Sequence, residues 1–148
     1  MNLNELKDEK GKKRYLYFAY GSNLHKEQMK SRCPDSFALF TASLHGWKLV
    51  ERYYADIEKS EQDSVNGALY LISENDLDPL DHYEGYPESY HREYVQVTSE
   101  DGSIYQALVY FMTDEYKKQM SHRNYTSRYR AICSAGADMW NLPNVFKD

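Results

Sequence analysis

YFAYGSNLHKEQ, residues 17–28, decides how the rest of the chain is read. Its aromatic start extends back to Arg14 as RYLYFAY, a run of residues that favour a strand. From Leu24 to Arg32, LHKEQMKSR has the composition of a helix, which Pro34 must end. Between the two lies the tight turn Tyr20-Gly21-Ser22-Asn23. In a strand-turn-helix arrangement the first helical amides lack internal partners, and the helix start carries partial positive charge. Gly21 lets the backbone approach a ligand without a side-chain clash, while Ser22 and Asn23 supply a hydroxyl and an amide. Two readings therefore stand side by side. Either Ser22 or Asn23 caps the helix, or the turn cradles a carboxylate, a phosphate or a developing oxyanion.

Beyond this stretch, FALFTASLHGWKLVERYY (37–54) offers two strands broken near His45-Gly46, and ADIEKSEQDSVNG (55–67) is polar enough to be a loop. ALYLIS (68–73) is a short apolar run of the kind a buried strand shows. Ser73 is placed to cap a helix over Glu74 to Tyr83, with Leu77 and Leu80 on it and Gly85 to end it. The alternating segments YHREYVQVT and IYQALVYFM, separated by SEDGS with its Asp-Gly pair, predict a hairpin. TSRYRAICSAGADMW (126–140) reads as a final helix with Gly136 near its end. Strands in the middle and helices at the edges predict an α+β fold with a mostly antiparallel sheet or small barrel. No repeat or linker divides the chain, so we expect a charged, flexible tail over residues 1–14 and a single domain over 15–148.

Charge and composition exclude several functions. A formal net charge of −5 argues against a sequence-independent grip on nucleic acid, which needs a basic surface. The mixed basic and aromatic segment YKKQMSHRNYTSRYR then reads as a solvated helix face. No apolar run approaches the roughly 20 residues of a membrane span, and MNLNELKDEKGKKR has no apolar centre, so a cytoplasmic protein is expected. Cys33 and Cys133 form no CxxC pair, and His25, His45, His82, His91 and His122 show no metal-ligand spacing. Reduced thiols and no metal are expected, and no nucleophile signature surrounds either cysteine. The 15 tyrosines suit strands around a moderately polar cavity.

Three stretches, YFAYGSNL, LDHYEGY and TSRYRAICSAGADMWNLP, occur in that order, and together the sequence resembles the gamma-glutamylcyclotransferase family over about Tyr15 to Phe146. The resemblance implies a small barrel-like α+β fold with no metal or cofactor, and an enzyme that expels 5-oxoproline from a gamma-glutamyl compound. By match to the family's motifs, Tyr20, Gly21, Ser22, Asn23 and Leu24 would hold the gamma-glutamyl group. Glu84 would be the catalytic acid/base, and Tyr129 and Tyr90 would line the pocket. The implied partner is a small gamma-glutamyl molecule, with the chain a monomer or homodimer; a non-catalytic binding module for such a carboxylate ligand is the alternative. Such chemistry asks for a carboxylate shielded among aromatic neighbours, for which Tyr83, Tyr86 and Tyr90 are candidates.

Overall fold

A computed structural model describes residues 11–147. Most of the expected charged tail, residues 1–10, lies outside them. Five strands form a closed barrel in the order β1-β3-β2-β4-β5, and four helices follow or interrupt them. The strands are β1 (Arg14–Ala19), β2 (Phe37–Glu51), β3 (Ala55–Ser73), β4 (Tyr90–Ser99) and β5 (Ile104–Met112). The helices are α1 (Lys26–Arg32), α2 (Glu74–Glu84), α3 (Asp114–Met120) and α4 (Ser127–Met139). All strand pairs are antiparallel except β1 with β5, which closes the barrel in parallel at Tyr17 and Leu108. The α+β barrel predicted from sequence is the fold observed.

β1 is buried on both faces, and this sets the layout. Leu16, Phe18 and Tyr20 join Leu44, Ile57, Leu69, Val97 and Val109 in one cluster that fills the barrel. The alternate residues Tyr17 and Ala19 face outward, with Tyr70, Ile72, Tyr110 and Met112, onto Met29, Leu80, Cys133 and Ala137 of the covering helices. The period-2 alternation of a strand thus serves two cores at once. Register keeps the faces separate, since Phe18 pairs with Leu69 and Tyr17 with Tyr70.

Two expectations fail, both in the β2–β3 hairpin. Residues 55–67 are not a loop but the first two thirds of β3, paired with β2 from Glu51↔Ala55 up to Ala42↔Gly67. Their polarity reflects exposed side chains on an extended hairpin, for instance Lys48 and Glu58, cross-strand partners 3.5 Å apart. Backbone pairing does not require apolar side chains. Nor does the chain break at His45-Gly46. β2 runs through, absorbing Gly46 (φ 87°) as a register shift between His45 and Trp47.

The predicted helix after Ser73 forms with a full capping box: the Ser73 hydroxyl accepts from the Asp76 amide, and the Asp76 carboxylate accepts from the Ser73 amide. Gly85, at φ 72°, reverses the chain at the other end. The predicted hairpin between β4 and β5 forms as well. α3 was not anticipated as a separate helix. It is short, buries no residue and begins at the Thr113 cap.

Candidate active site

The turn after β1 does not cap α1 through Ser22 or Asn23, as one of the two sequence readings had it. Ser22–Leu24 form a single 3-10 turn, held by the Leu24 amide donating to the Gly21 carbonyl and the His25 amide to the Ser22 carbonyl, each at 3.1 Å. Neither Ser22 nor Asn23 caps α1. The cap is His25, whose Nδ1 accepts from the Gln28 amide at 3.3 Å. The amides of Ser22 and Asn23 stand outside the turn's own hydrogen bonds, which is the condition for an anion cradle.

Helix α4 fixes this turn from behind. Gly136 presses so closely on it that a Cβ there would lie 2.5 Å from the His25 nitrogen and 2.7 Å from the Leu24 carbonyl carbon. The Trp140 indole donates to the Leu24 carbonyl at 2.8 Å, and Leu24 itself is buried in the core with Met29 and Ala137. Gly136, near the end of the helix as its sequence suggested, is therefore a packing point. Leu24 does not line the cavity in front of the turn. Its side chain anchors the turn instead.

That cavity, of about 210 Å³, lies at the barrel rim between the turn, the end of α2 and the hairpin tip near Ala55. Tyr20, Gly21, Ser22, Asn23, Glu84, Tyr90 and Tyr129 all line it. Thus seven of the eight residues named from sequence share one hollow. Of the nearby carboxylates Asp78, Asp81, Glu84 and Glu88, only Glu84 is in the lining. Asp81 is instead taken up by the Tyr110 hydroxyl at 2.5 Å and Arg92 at 3.4 Å. Glu84 is the last residue of α2, and the left-handed turn at Gly85 sets it at the cavity edge. That turn is closed by the Gly85 amide on the His82 carbonyl and the Tyr86 amide on the Asp81 carbonyl.

No hydrogen-bond donor among the described residues reaches the Glu84 carboxyl. Burial pushes its pKa up from 4.5 to about 7, the Arg32 guanidinium pulling down and Asp81 pushing up more weakly. Its charge is felt by the hydroxyls of Tyr17, Tyr20, Tyr90, Tyr110, Tyr116 and Tyr129, each raised above the ordinary phenol value chiefly by burial. Those phenols remain protonated and neutral at any ordinary pH.

Their hydrogen bonds sort them by role. Tyr20 donates to the Tyr110 carbonyl at 2.6 Å and Tyr90 to the Ala55 carbonyl at 3.0 Å, so both protons are engaged. Tyr129 instead accepts from the Ala55 amide at 3.1 Å, and Tyr17 accepts from the Asn23 side-chain amide at 3.0 Å. An accepting phenol keeps its proton to give. Tyr17 and Tyr129, both in the lining, thus have hydroxyl protons that no backbone carbonyl takes up. Asn23 is held in turn by Arg32, which donates to its Oδ1 at 2.5 Å and stacks on the Tyr83 ring at 3.2 Å. Gly21 matters here for space, since a Cβ would stand 3.1 Å from both the Tyr129 hydroxyl and Ala55 Cβ.

Among the lining residues that sequence reasoning missed are Tyr17, Tyr54, Ala55, Tyr110 and Tyr116. Tyr17 lay inside the quoted motif and could have been found from its place in the strand; the others arrive from distant segments with no local signal. Of the neighbours expected around Glu84, Tyr83 and Tyr90 are present, whereas Tyr86 lies outside the lining, under the Arg92 guanidinium. Cys33 and Cys133 are fully buried, outside the lining, and burial raises both thiols to about 12, which disposes of a cysteine nucleophile. Among the described residues no three His, Cys, Asp or Glu side chains converge as a metal site would require.

A barrel whose rim brings a glycine turn and one shielded carboxylate to a tyrosine-lined hollow defines the class. The chain belongs to the gamma-glutamyl cyclotransferase, AIG2-like family, whose sequence model matches residues 17–131. Over 147 residues it is 27% identical to the gamma-glutamylcyclotransferase of Mus musculus, covering 90% of this chain and 76% of the mouse protein. The Homo sapiens protein of the same name is 28% identical over the same shares of each. A solved structure named gamma-glutamyl cyclotransferase superposes with a TM-score of 0.76 at 26% identity, over 88% of this chain and 82% of that one.

Proposed function

We propose that the protein is a gamma-glutamyl cyclotransferase that converts a gamma-glutamyl compound into 5-oxoproline and a free amine, with Glu84 as acid/base. The observation that carries this reading is the single shielded carboxyl of Glu84 opening onto the same hollow as the Tyr20–Asn23 turn.

In the reaction the substrate's α-amine attacks its own gamma-carbonyl carbon. A C–N bond closes the five-membered ring, and the C–N bond to the departing amine breaks. Nucleophile and electrophile are tethered, so the protein needs only to hold the substrate bent, which in such systems is worth on the order of 7–11 kcal/mol. The α-amine is mainly ammonium at neutral pH, with a reference pKa of about 7.7–8.0, and must lose a proton before it attacks. An ordinary glutamate is too weak a base for that task. Glu84, raised to about 7, is matched to it and can return that proton to the leaving nitrogen; the attacking nitrogen gives up a second proton as the ring forms, and the amine departs as ammonium.

As the gamma-carbonyl becomes tetrahedral its oxygen gains negative charge. The Ser22 and Asn23 amides and the Tyr129 and Tyr17 hydroxyls are the donors available to that oxygen and to the substrate's α-carboxylate. Tyr90 and Tyr20, whose protons are committed to carbonyls, serve as walls.

Incubation of the purified protein with gamma-glutamyl amino acids, gamma-glutamyl amines and glutathione, with 5-oxoproline as the readout, tests the proposal. Release from at least one of them, abolished in Glu84→Gln, is the expected result. Turnover by Glu84→Gln close to that of the unmodified protein would remove Glu84 from the mechanism. Saturable binding without any 5-oxoproline would identify a binding module instead.

A further inference from the structure

The Glu84 hollow has two sides, the Ser22–Asn23 turn and the end of α2, and one side chain from outside its lining touches both. Arg32 is the last residue of α1. Its Nη1 donates to the Asn23 Oδ1 at 2.5 Å, and the same guanidinium lies over the Tyr83 ring with its central carbon 3.2 Å from the centroid. Tyr83 immediately precedes Glu84, and both belong to the lining.

Asn23 shows what the first contact does. It is 3% exposed, and its side-chain amide is tied at both ends, Oδ1 to Arg32 and Nδ2 to the Tyr17 hydroxyl at 3.0 Å. Without the guanidinium its oxygen would be left buried and unpaired, so the side chain would have to move. Gln28 also steadies the turn, donating to the Ser22 carbonyl at 2.9 Å, and Trp140 holds Leu24 from behind. Arg32 carries its hold on to Tyr83 as well.

Helix position gives Arg32 a plainer use, since a cation in the last turn of a helix is favoured by the dipole. Lys30 shares that turn, yet it donates to the Ser36 carbonyl at 2.8 Å and is not in the lining. The charge of Arg32 instead draws the Glu84 carboxyl down against the burial that raises it. Asp81 of α2 opposes it more weakly and is itself paired with Arg92 of β4. The other groups that sense Glu84 are the neutral phenols of Tyr17, Tyr20, Tyr90, Tyr110, Tyr116 and Tyr129.

A planar guanidinium donates at its edge while stacking by its face, which an ammonium cannot do. We propose that Arg32 is a positioning residue of the cyclotransferase site: one guanidinium holds the Asn23 side chain and the Tyr83 ring together, and so sets the substrate-binding turn against the helix end that carries Glu84. The role rests on the cyclotransferase reading.

The test compares Arg32→Met, which loses charge and fork, with Arg32→Lys, which keeps the charge alone. Three quantities are read on the full chain: kcat/KM for 5-oxoproline release, its pH profile, and the titration of the Glu84 carboxyl by carbon NMR, assigned from the signal missing in Glu84→Gln. Arg32→Met should lower kcat/KM by about 10- to 100-fold, the size of one charge-assisted hydrogen bond, and move both the rising limb of the profile and the Glu84 midpoint to higher pH. Arg32→Lys should leave the midpoint in place and still lose about tenfold. Asn23→Ala added to Arg32→Met should cost no more than about twofold further, because the two act as one unit. A kcat/KM for Arg32→Met within about twofold of the unmodified protein, full rescue by Arg32→Lys, or independent losses that multiply would each overturn the proposal. If no gamma-glutamyl compound yields 5-oxoproline, the cyclotransferase reading fails, and the clamp is decided by the spectra: Arg32→Met must shift the Asn23 side-chain amide signals and raise the Glu84 midpoint, and unchanged signals overturn it. Arg32→Lys carries the comparison should Arg32→Met fail to fold.

Discussion

The interior of the barrel and the hollow at its rim are built from the same strands, yet they use side chains in opposite ways. Inside, Leu16, Phe18, Leu69, Val97 and Val109 fill space and carry no polar atoms. At the rim, eight tyrosines, from Tyr17 in β1 to Tyr129 in α4, enclose one carboxylate. The aromatic bodies supply the low-dielectric wall that raises Glu84, while the phenolic tips, tied to backbone at Ala55 and Tyr110, supply fixed dipoles. An aliphatic wall would shield the carboxyl equally but offer a substrate nothing to bond. The difference teaches that stability and chemistry here are separable, one strand face apart.

The comparison is sharpened most by the two residues that represent each side. Glu84→Gln should lower 5-oxoproline release by about 10²–10⁴-fold, the usual size of a general acid/base contribution, while circular dichroism and denaturant midpoint show a folded protein. Leu69→Ala, inside the barrel, should do the reverse. It should cost about 2–5 kcal/mol in chemical denaturation and leave the pH dependence of whatever activity remains unchanged.

Gly136→Ala probes the junction of the two regions. Its methyl would collide with backbone of the turn, so both the thermal midpoint and the affinity for a gamma-glutamyl ligand should fall together. Loss of one without the other would show that α4 does not position the turn.

Protonation of Glu84 links the two regions by pH. Its folded pKa of about 7 lies above the ordinary 4.5, so the folded state holds the proton more tightly. This contribution to stability is fully present below about pH 4.5 and is lost as pH rises through 7. Glu84→Gln should therefore gain on the unmodified protein at alkaline pH, by as much as about 3 kcal/mol near pH 9, and show no such gain near pH 4. Activity should run the other way, rising through pH 7 as the carboxyl becomes a base. The smallest effect is expected of Tyr129→Phe, which strands the Ala55 amide and removes one oriented donor. About tenfold in kcat/KM, with little change in the pH profile, is the expected loss.

How much of this was legible in the sequence depends on distance along the chain. The turn at Gly21, the Ser73 cap, the Gly85 reversal and the hairpin at Asp101-Gly102 are local decisions, made by glycine conformation and side chains that bond backbone two or three residues away. All four stand where their residues put them. Residues 55–67 were misread because strand formation there rests on β2 across the hairpin, and polar side chains on an exposed ribbon look like a loop when the partner is out of view. The cap of α1 was misassigned because the helix begins at Lys26, after a separate 3-10 turn over Ser22–Leu24, which leaves His25 in the capping position.

The sequence by itself determined β1 and its glycine turn, the capped helix α2 and the β4–β5 hairpin, since each follows from interactions within a few residues, and its resemblance to the family pointed to Glu84. Only the tertiary structure decided that Glu84 faces that turn, that Asp81 is neutralised by Tyr110 and Arg92, and that Tyr17 and Tyr129 keep a proton to give. Those are matters of which distant groups meet, and barrel closure brings them together from separations of up to 74 residues.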